Sequence, residues 1–192
     1  MKIPRLGLAT KNPGKVEEMT AIVRRMGFAA EIVEGLDWPD VDETGDTLEA
    51  NAVLKATAVV EATGLPALAD DTGLMVKALD GRPGVWSARY AGGDATFADN
   101  RRKLLAELEG VDDRTAHFAT GVALMFPDGS LITAEGRLEG LIARSERGTG
   151  GFGYDALFEV DGVTLAEMSD EEKNRLSHRA RAIEALGEKL GL

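Results

Sequence analysis

From Leu6 to the last helix-like segment, the apolar residues of this chain keep changing their spacing, and that alternation constrains the fold more than any other feature. Leu6 to Ala9 is a continuous run of strand length, after which Val16, Met19, Ile22, Val23 and Met26 recur at helical intervals. Between the two, "TKNPGK" offers Asn12 as a helix cap and Pro13 at the first helical position. The backbone N–H groups near Gly14 and Lys15 are therefore expected to be unpaired and to carry the positive end of the helix dipole. A second helix is predicted over "LEANAVLKATAVVEAT", capped by Asp46 with Glu49 in capping-box register and stopped at Gly64 and Pro66. Asn51 and Lys55 share one of its faces, and Lys55 sits among Ala52, Val53, Leu54 and Ala56, where a solvated face would carry more charge.

Further along, "ALADDTGL" reads as a short strand that leaves the core at Asp70 and Asp71. A third helix is expected with Phe97, Leu104, Leu105 and Leu108 on its apolar side and Gly110 as its stop. Two strands follow, joined by a "PDGS" turn, and the second alternates Glu135, Arg137 and Glu139 with smaller or apolar residues, so one face is wet. Near the C-terminus Ser169 and Glu172 form a capping box, and the stripe Ala180, Ile183, Gly187 and Leu190 fits either one continuous helix or a second one capped by Ser177. With no linker tract, low-complexity block or repeat, the whole reads as one α/β unit with a mixed sheet.

Composition removes several function classes. The net charge of −11 disfavours a salt-sensitive grip on a nucleic-acid polymer, which needs a surplus of Lys and Arg. Apolar runs such as Gly121 to Phe126 are too short to span a membrane, and "MKIPRLGLATKN" is too short in apolar residues for a signal peptide, so a soluble, cytoplasmic protein is expected. Cysteine is absent and histidine occurs twice, which leaves no thiolate metal site and no expectation of zinc. A small anionic ligand with a hard divalent cation stays open, given a local cluster of positive groups.

Such a cluster is what the motifs suggest. Adjacent Asp70 and Asp71 at a strand end raise the cost of keeping both ionised, so a positive group is expected beside them. The cap at Asn12 and Pro13, the lysines Lys15 and Lys55, the glycine loop "RGTGGFGYDALF" and the basic group Lys173, His178 and Arg179 supply what a nucleoside triphosphate and a divalent metal require.

Six blocks, "LATKNPGK", "DETGDTLEANAVLKA", "ALADDTGL", "RPGVWSARYAG", "TGGFGYDALF" and "EEKNRLSHRARA", resemble in order the signatures of the noncanonical purine nucleoside triphosphate pyrophosphatases, the inosine/xanthosine triphosphate pyrophosphatase family. The likeness covers residues 6 to 186. It implies a single domain over residues 1–192 with two lobes around a long mixed β-sheet flanked by helices, an active-site cleft between the lobes, and a homodimer. It also implies Mg²⁺-dependent hydrolysis of ITP, dITP or XTP to the monophosphate and pyrophosphate. By matching position, Thr10, Lys11, Asn12, Pro13, Gly14 and Lys15 would bind the triphosphate, with Lys55 facing phosphate and Thr72 touching substrate. Asp71 would be catalytic base and metal ligand, Glu43 a second metal ligand, and Asp70 a further contributor. Phe152, Gly153, Tyr154 and Asp155 would pack on base and sugar, and Lys173, His178 and Arg179 would read the base. Lys11 departs from the glycine common at that place and adds a charge to the turn. A Maf-like pyrophosphatase of pyrimidine or modified nucleotides and a non-hydrolytic nucleotide sensor are the alternative readings.

Overall fold

The computed structural model describes residues 3–191. Strand β1 (Ile3–Leu8) leads into helix α1 (Pro13–Met26) and β2 (Ala29–Val33), and α2 (Leu48–Thr63) leads into β3 (Ala67–Val76) and the short β4 (Pro83–Gly84). Helix α3 (Phe97–Glu107), β5 (Thr115–Met125), β6 (Leu131–Ile142), β7 (Phe158–Val160), β8 (Val163–Thr164), α4 (Asp170–Leu176) and α5 (His178–Lys189) complete the described strands and α-helices. The eight strands form one mixed sheet in the order β2-β1-β3-β5-β6-β7-β8, with β4 beside β3. β1 is parallel to both β2 and β3, whereas β4 is antiparallel to β3 and β7 is antiparallel to β6 and β8.

By contact the chain divides into two compact units, one of Met1–Asp71, Thr120–Gly136 and Ser177–Leu192, the other of Thr72–Ala119 and Arg137–Leu176. In the first unit β1 lies between its two parallel partners, so the chain reverses its direction of travel across the sheet at the carboxyl end of β1. Open parallel sheets gather ligands at such a switch point, and the residues found there are the Thr10–Lys15 turn and the first half of β3.

Alternation along the strands separates two cores in this unit. Leu68, Val122 and Leu124 pack with Met19, Ile22 and Val23 of α1 and with Ala180, Ile183 and Leu186 of α5. The neighbouring strand residues Ala67, Ala69 and Ala123 pack with Ala52, Ala56 and Val59 of α2, and with Trp38. The small side chains let α2 approach closely: a Cβ on Gly121 of β5 would lie 2.7 Å from the Glu49 nitrogen. The second unit has its own core, in which Leu74, Leu104, Phe118, Leu138, Tyr154 and Phe158 meet.

Local signals hold where the interaction is local. Asn12 caps α1, Pro13 opens it, and Gly27 closes it in the left-handed conformation with φ 64°. The turn before β6 closes through Gly129 N–H to Phe126 O (3.0 Å) and Phe126 N–H to Ser130 O (2.9 Å), and Glu135, Arg137 and Glu139 are exposed on β6. Ser169 and Glu172 make the expected reciprocal cap, and the helix then breaks: the Ser177 hydroxyl accepts from Ala180 N–H (3.2 Å) and starts α5.

Several expectations need correction. β1 starts earlier than the apolar run, since exposed Pro4 and Arg5 disguise its first half. Helix α2 is capped by Thr47, not Asp46, because the Thr47 backbone is extended and its hydroxyl accepts from Ala50 N–H at 3.1 Å. Phe97 leaves the apolar face of α3: it is 43% exposed and its ring lies 6.2 Å from that of Phe152. The carboxylates of "ALADDTGL" do not end a strand, for β3 continues past them to Val76.

Candidate active site

The position of Asp70 and Asp71 inside a strand explains how two like charges can be adjacent. Successive strand residues point to opposite faces, and each face brings its own cations.

Asp70 shares its face with Leu68 and meets α1 and α5. Its Oδ2 lies 3.1 Å from Lys15 Nζ and 3.0 Å from Arg179 Nε. Arg179, only 2% exposed, also pairs with Glu18 of α1. Burial by itself would push the Asp70 carboxyl up, but Lys15, Arg179 and Lys55 together hold it far below the usual carboxylate range. Lys15 moves down too: burial and the positive charges of Lys55 and Arg179 outweigh the attraction of Asp70 and Asp71. One carboxylate thus faces several cations, whereas each of those cations also feels the others.

Asp71 shares its face with Ala67 and Ala69 and meets α2. Lys55 Nζ is 3.2 Å from Asp71 Oδ1 and 3.1 Å from Glu43 Oε1, and Asn51 Nδ2 donates to Asp71 Oδ2 at 3.1 Å. Asn51 also accepts from Gly45 N–H at 2.8 Å, which ties the irregular segment carrying Glu43 to the same helix face. Four residues apart, Asn51 and Lys55 act on both oxygens of one carboxylate. Burial raises the Asp71 carboxyl above its ordinary value, Glu43 adds to the rise, and Lys55 and Lys15 limit it. Lys55 is desolvated but ends above the usual lysine range, because Asp71, Asp70 and Glu43 surround it.

The Thr10–Lys15 turn differs from the expectation in one respect. The N–H groups of Gly14 and Lys15 are not orphaned, since Asn12 Oδ1 accepts from them at 3.0 and 3.4 Å. A carboxamide on the preceding residue caps the helix by itself, so the Lys15 ammonium, and not the bare helix end, is what the turn directs at Asp70. Thr10 Oγ1 accepts from Asn12 N–H at 3.3 Å. The ammonium of Lys11 turns the other way, 2.6 Å from Asp40 and 4.8 Å from the centre of the Trp38 ring. Lys11, Trp38, Thr10 and Pro13 border a cavity of about 650 Å³ that is also lined by residues of α1 between Val16 and Arg24 and by Glu34 to Leu36.

The remaining sequence-predicted residues lie in the second unit. Thr72 follows Asp71 in β3. Gly151 and Gly153, at φ 66° and 62°, fold residues 151–155 into a turn in which Asp155 Oδ2 accepts from Phe152 N–H at 2.8 Å. Lys173 of α4 donates to that same oxygen at 2.6 Å, and its ammonium stands 5.0 Å from the centre of the Phe152 ring. The Tyr154 hydroxyl points elsewhere, donating to Ser87 O at 2.9 Å, so this tyrosine anchors the turn from below. Asp155 and Lys173 are both buried. The arrangement presents one aromatic face with an ammonium beside it.

Three residues outside the sequence-predicted set belong to these networks. Asn51 was visible as the Lys55 face-mate. Glu18 lies three residues after Lys15, one helical turn along the same face. Thr120 is a hydroxyl within the apolar "FATGVAL" stretch, and its Oγ1 is 2.6 Å from His178 Nδ1.

Comparison with known proteins finds relatives that match nearly the whole chain. The model of the Ham1 family matches residues 6–189. A protein of Geobacter sulfurreducens called dITP/XTP pyrophosphatase is 50% identical, with 97% of this chain and 96% of that protein covered. The Ham1 protein structure from Coxiella burnetii superposes with a TM-score of 0.85 at 41% identity, covering 98% of this chain and 99% of that one. The Staphylococcus aureus Ham1 structure gives 0.83 at 38% identity, covering 97% and 98%. With its mixed sheet and its buried acid–lysine pairs carried by residues within the matched span, this chain belongs to the Ham1 family.

Proposed function

We propose that the chain hydrolyses noncanonical purine nucleoside triphosphates, ITP, dITP and XTP, to the monophosphate and pyrophosphate. The observation that carries this reading is Asp71: a buried carboxylate raised above its ordinary range, fixed through both oxygens by Lys55 and Asn51, with Glu43 on the same ammonium. A base must hold a proton well enough to take one from water, and a raised carboxyl does so better than a solvated one. The dITP/XTP pyrophosphatase name of relatives at 46–50% identity over nearly their full length supports the same substrates.

Asp71 orients a water and takes its proton as the water oxygen attacks the α-phosphorus in line. The bond from that phosphorus to the bridging oxygen breaks, and pyrophosphate leaves. Lys15 and Lys55 offset the charge that grows on the bridging oxygen. Asp70 remains a carboxylate throughout and keeps Lys15 and Arg179 in place.

Glu43 and Asp71 are the residues that would hold Mg²⁺. The fit is chemical: two carboxylates already converge on a single positive charge, and oxygen is the donor this ion takes. Among the described residues no group of three or more acidic, histidine or cysteine side chains gathers, so phosphate oxygens and water would complete the shell. Bound there, the ion supplies charge neutralisation on the polyphosphate.

Base recognition is assigned to Phe152–Asp155, Lys173, His178 and Arg179, as the family resemblance implies. Hypoxanthine and xanthine carry a 6-oxo acceptor, which suits these donors, whereas the 6-amino group of adenine would leave them unpaired. We further propose a single two-lobed domain acting as a homodimer.

The test is pyrophosphate release with Mg²⁺ and, separately, ITP, dITP, XTP, ATP, GTP, dTTP and UTP. Release from the first three well above ATP, abolished by Asp71→Asn in a protein that still unfolds cooperatively, is the expected result. Preference for dTTP or UTP would assign the chain to pyrimidine nucleotides, and silence with every substrate would make it a sensor; either outcome overturns the proposal.

A further inference from the structure

Two side chains of α3 reach the 151–155 turn. Phe97 and Arg101 are four residues apart, so they lie one above the other on the helix. The Phe97 ring stands 6.2 Å from that of Phe152, tilted by 38°. Arg101 Nη1 donates to Gly153 O at 2.8 Å, and Arg101 Nε lies 3.1 Å from Glu146 Oε1.

Helix α3 is itself held by bonds to other segments. Asp99 N–H donates to Thr96 Oγ1 at 3.2 Å and Thr96 N–H donates to Asp99 Oδ2 at 3.0 Å, which closes the first turn in a capping box. Asn100, 1% exposed, accepts from Ala91 N–H at 2.8 Å and donates to Ala88 O at 2.9 Å, and Leu104 is fully buried. One face of α3 is thus anchored, and the adjacent face carries Phe97 and Arg101. The 151–155 turn has two glycines at positive φ, and glycine loses more freedom than any other residue when it is ordered. A charged donor on the Gly153 carbonyl, supplied by an anchored helix, offsets that cost beside the Phe152 ring.

We propose that Arg101 and Phe97 are positioning residues for the nucleobase: Arg101 fixes the backbone of the turn through Gly153 O, and Phe97 restrains the Phe152 ring. This rests on the assignment of Phe152 to the base. Neither residue needs to touch substrate. An aromatic platform already in place spares the substrate the cost of ordering it, so the effect falls on binding and leaves the phosphate chemistry alone. It also explains why a phenylalanine stands 43% exposed at the start of α3.

The test combines initial rates with amide hydrogen exchange on the full chain. Arg101→Met keeps the aliphatic stem and removes the donor. It should raise KM for ITP about tenfold with kcat within about twofold of the parent, which is the lower end of the worth of a hydrogen bond to a charged group. Phe97→Ala should raise KM about twofold to tenfold, the range of an aromatic pair. The Phe152 and Asp155 amides, bonded in the parent to Asp155 Oδ2 and Phe152 O, should exchange faster in Arg101→Met. In a Phe152→Ala background neither substitution should raise KM further, because the ring through which both act is gone. An unchanged KM in either variant, unchanged exchange in Arg101→Met, or a rise that persists at full size without the Phe152 ring overturns the inference. Phe152→Ala alone separates this from the underlying assignment: if it leaves KM for ITP intact, the ring does not carry the base and the positioning role falls with it, whereas the exchange measurement still decides whether Arg101 orders the turn.

Discussion

Replacing Asp70 by Asn isolates the charge on one face of β3 while preserving shape. The carboxylate is fully buried and meets Lys15 at 3.1 Å and Arg179 at 3.0 Å. At an effective dielectric of about 20, each contact at about 3 Å carries about 5 kcal/mol of attraction, most of it offset by desolvation of the partners. The asparagine still accepts a hydrogen bond but leaves Lys15 and Arg179 facing each other across a neutral group. Loss of one member of a buried pair costs about 3–5 kcal/mol. For a chain of this length that corresponds to a fall in Tm of about 10 °C. Urea unfolding of parent and variant, followed across acidic pH, is the assay. The folded carboxyl of Asp70 is depressed, so its stabilisation is present above the unfolded value of about 3.9 and disappears as pH falls through the lower folded value. The parent should therefore lose stability in that window more steeply than the variant. A variant within about 1 kcal/mol of the parent at neutral pH, the worth of a solvated pair, would refute the account of Asp70 as the buried counter-charge.

Two further outcomes follow from the site. Because Asp71 is raised by burial and by Glu43, the acidic limb of kcat/KM should lie above the ordinary carboxylate range, and Glu43→Gln, removing a neighbouring negative charge, should move it to lower pH while slowing the reaction; a limb that does not move in initial rates of pyrophosphate release contradicts the role given to Asp71. Gly151→Ala should weaken substrate binding by about tenfold or more in KM, because its φ of 66° disfavours a side chain and the added methyl would strike the Asp155 carboxylate; an unchanged KM would show that the turn has no part in the site.

Signals decided within a few residues were legible in the sequence. The Asn12 cap with Pro13, the closing glycine of α2, the turn before β6 and the Ser169–Glu172 box each depend on short polar groups reaching adjacent backbone. So was the placement of Asn51 with Lys55, fixed by helical geometry. The limit was reached where a polar group had two nearby uses. Asn12 could free or consume the N–H groups of Gly14 and Lys15, and its side chain consumes them. The region from Ser169 to Leu190 admitted one helix or two, and the Ser177 cap makes two.

The amino-acid order by itself determined that strands and helices interleave, where α1 and α4 are capped, and that acidic and basic groups recur in blocks resembling a nucleotide pyrophosphatase, because period and capping are properties of neighbouring residues. Only the tertiary structure decided that Asp70 answers to α1 and α5 while Asp71 answers to α2. Adjacent strand residues face opposite ways, and which helix covers each face is set by packing between segments far apart in the chain.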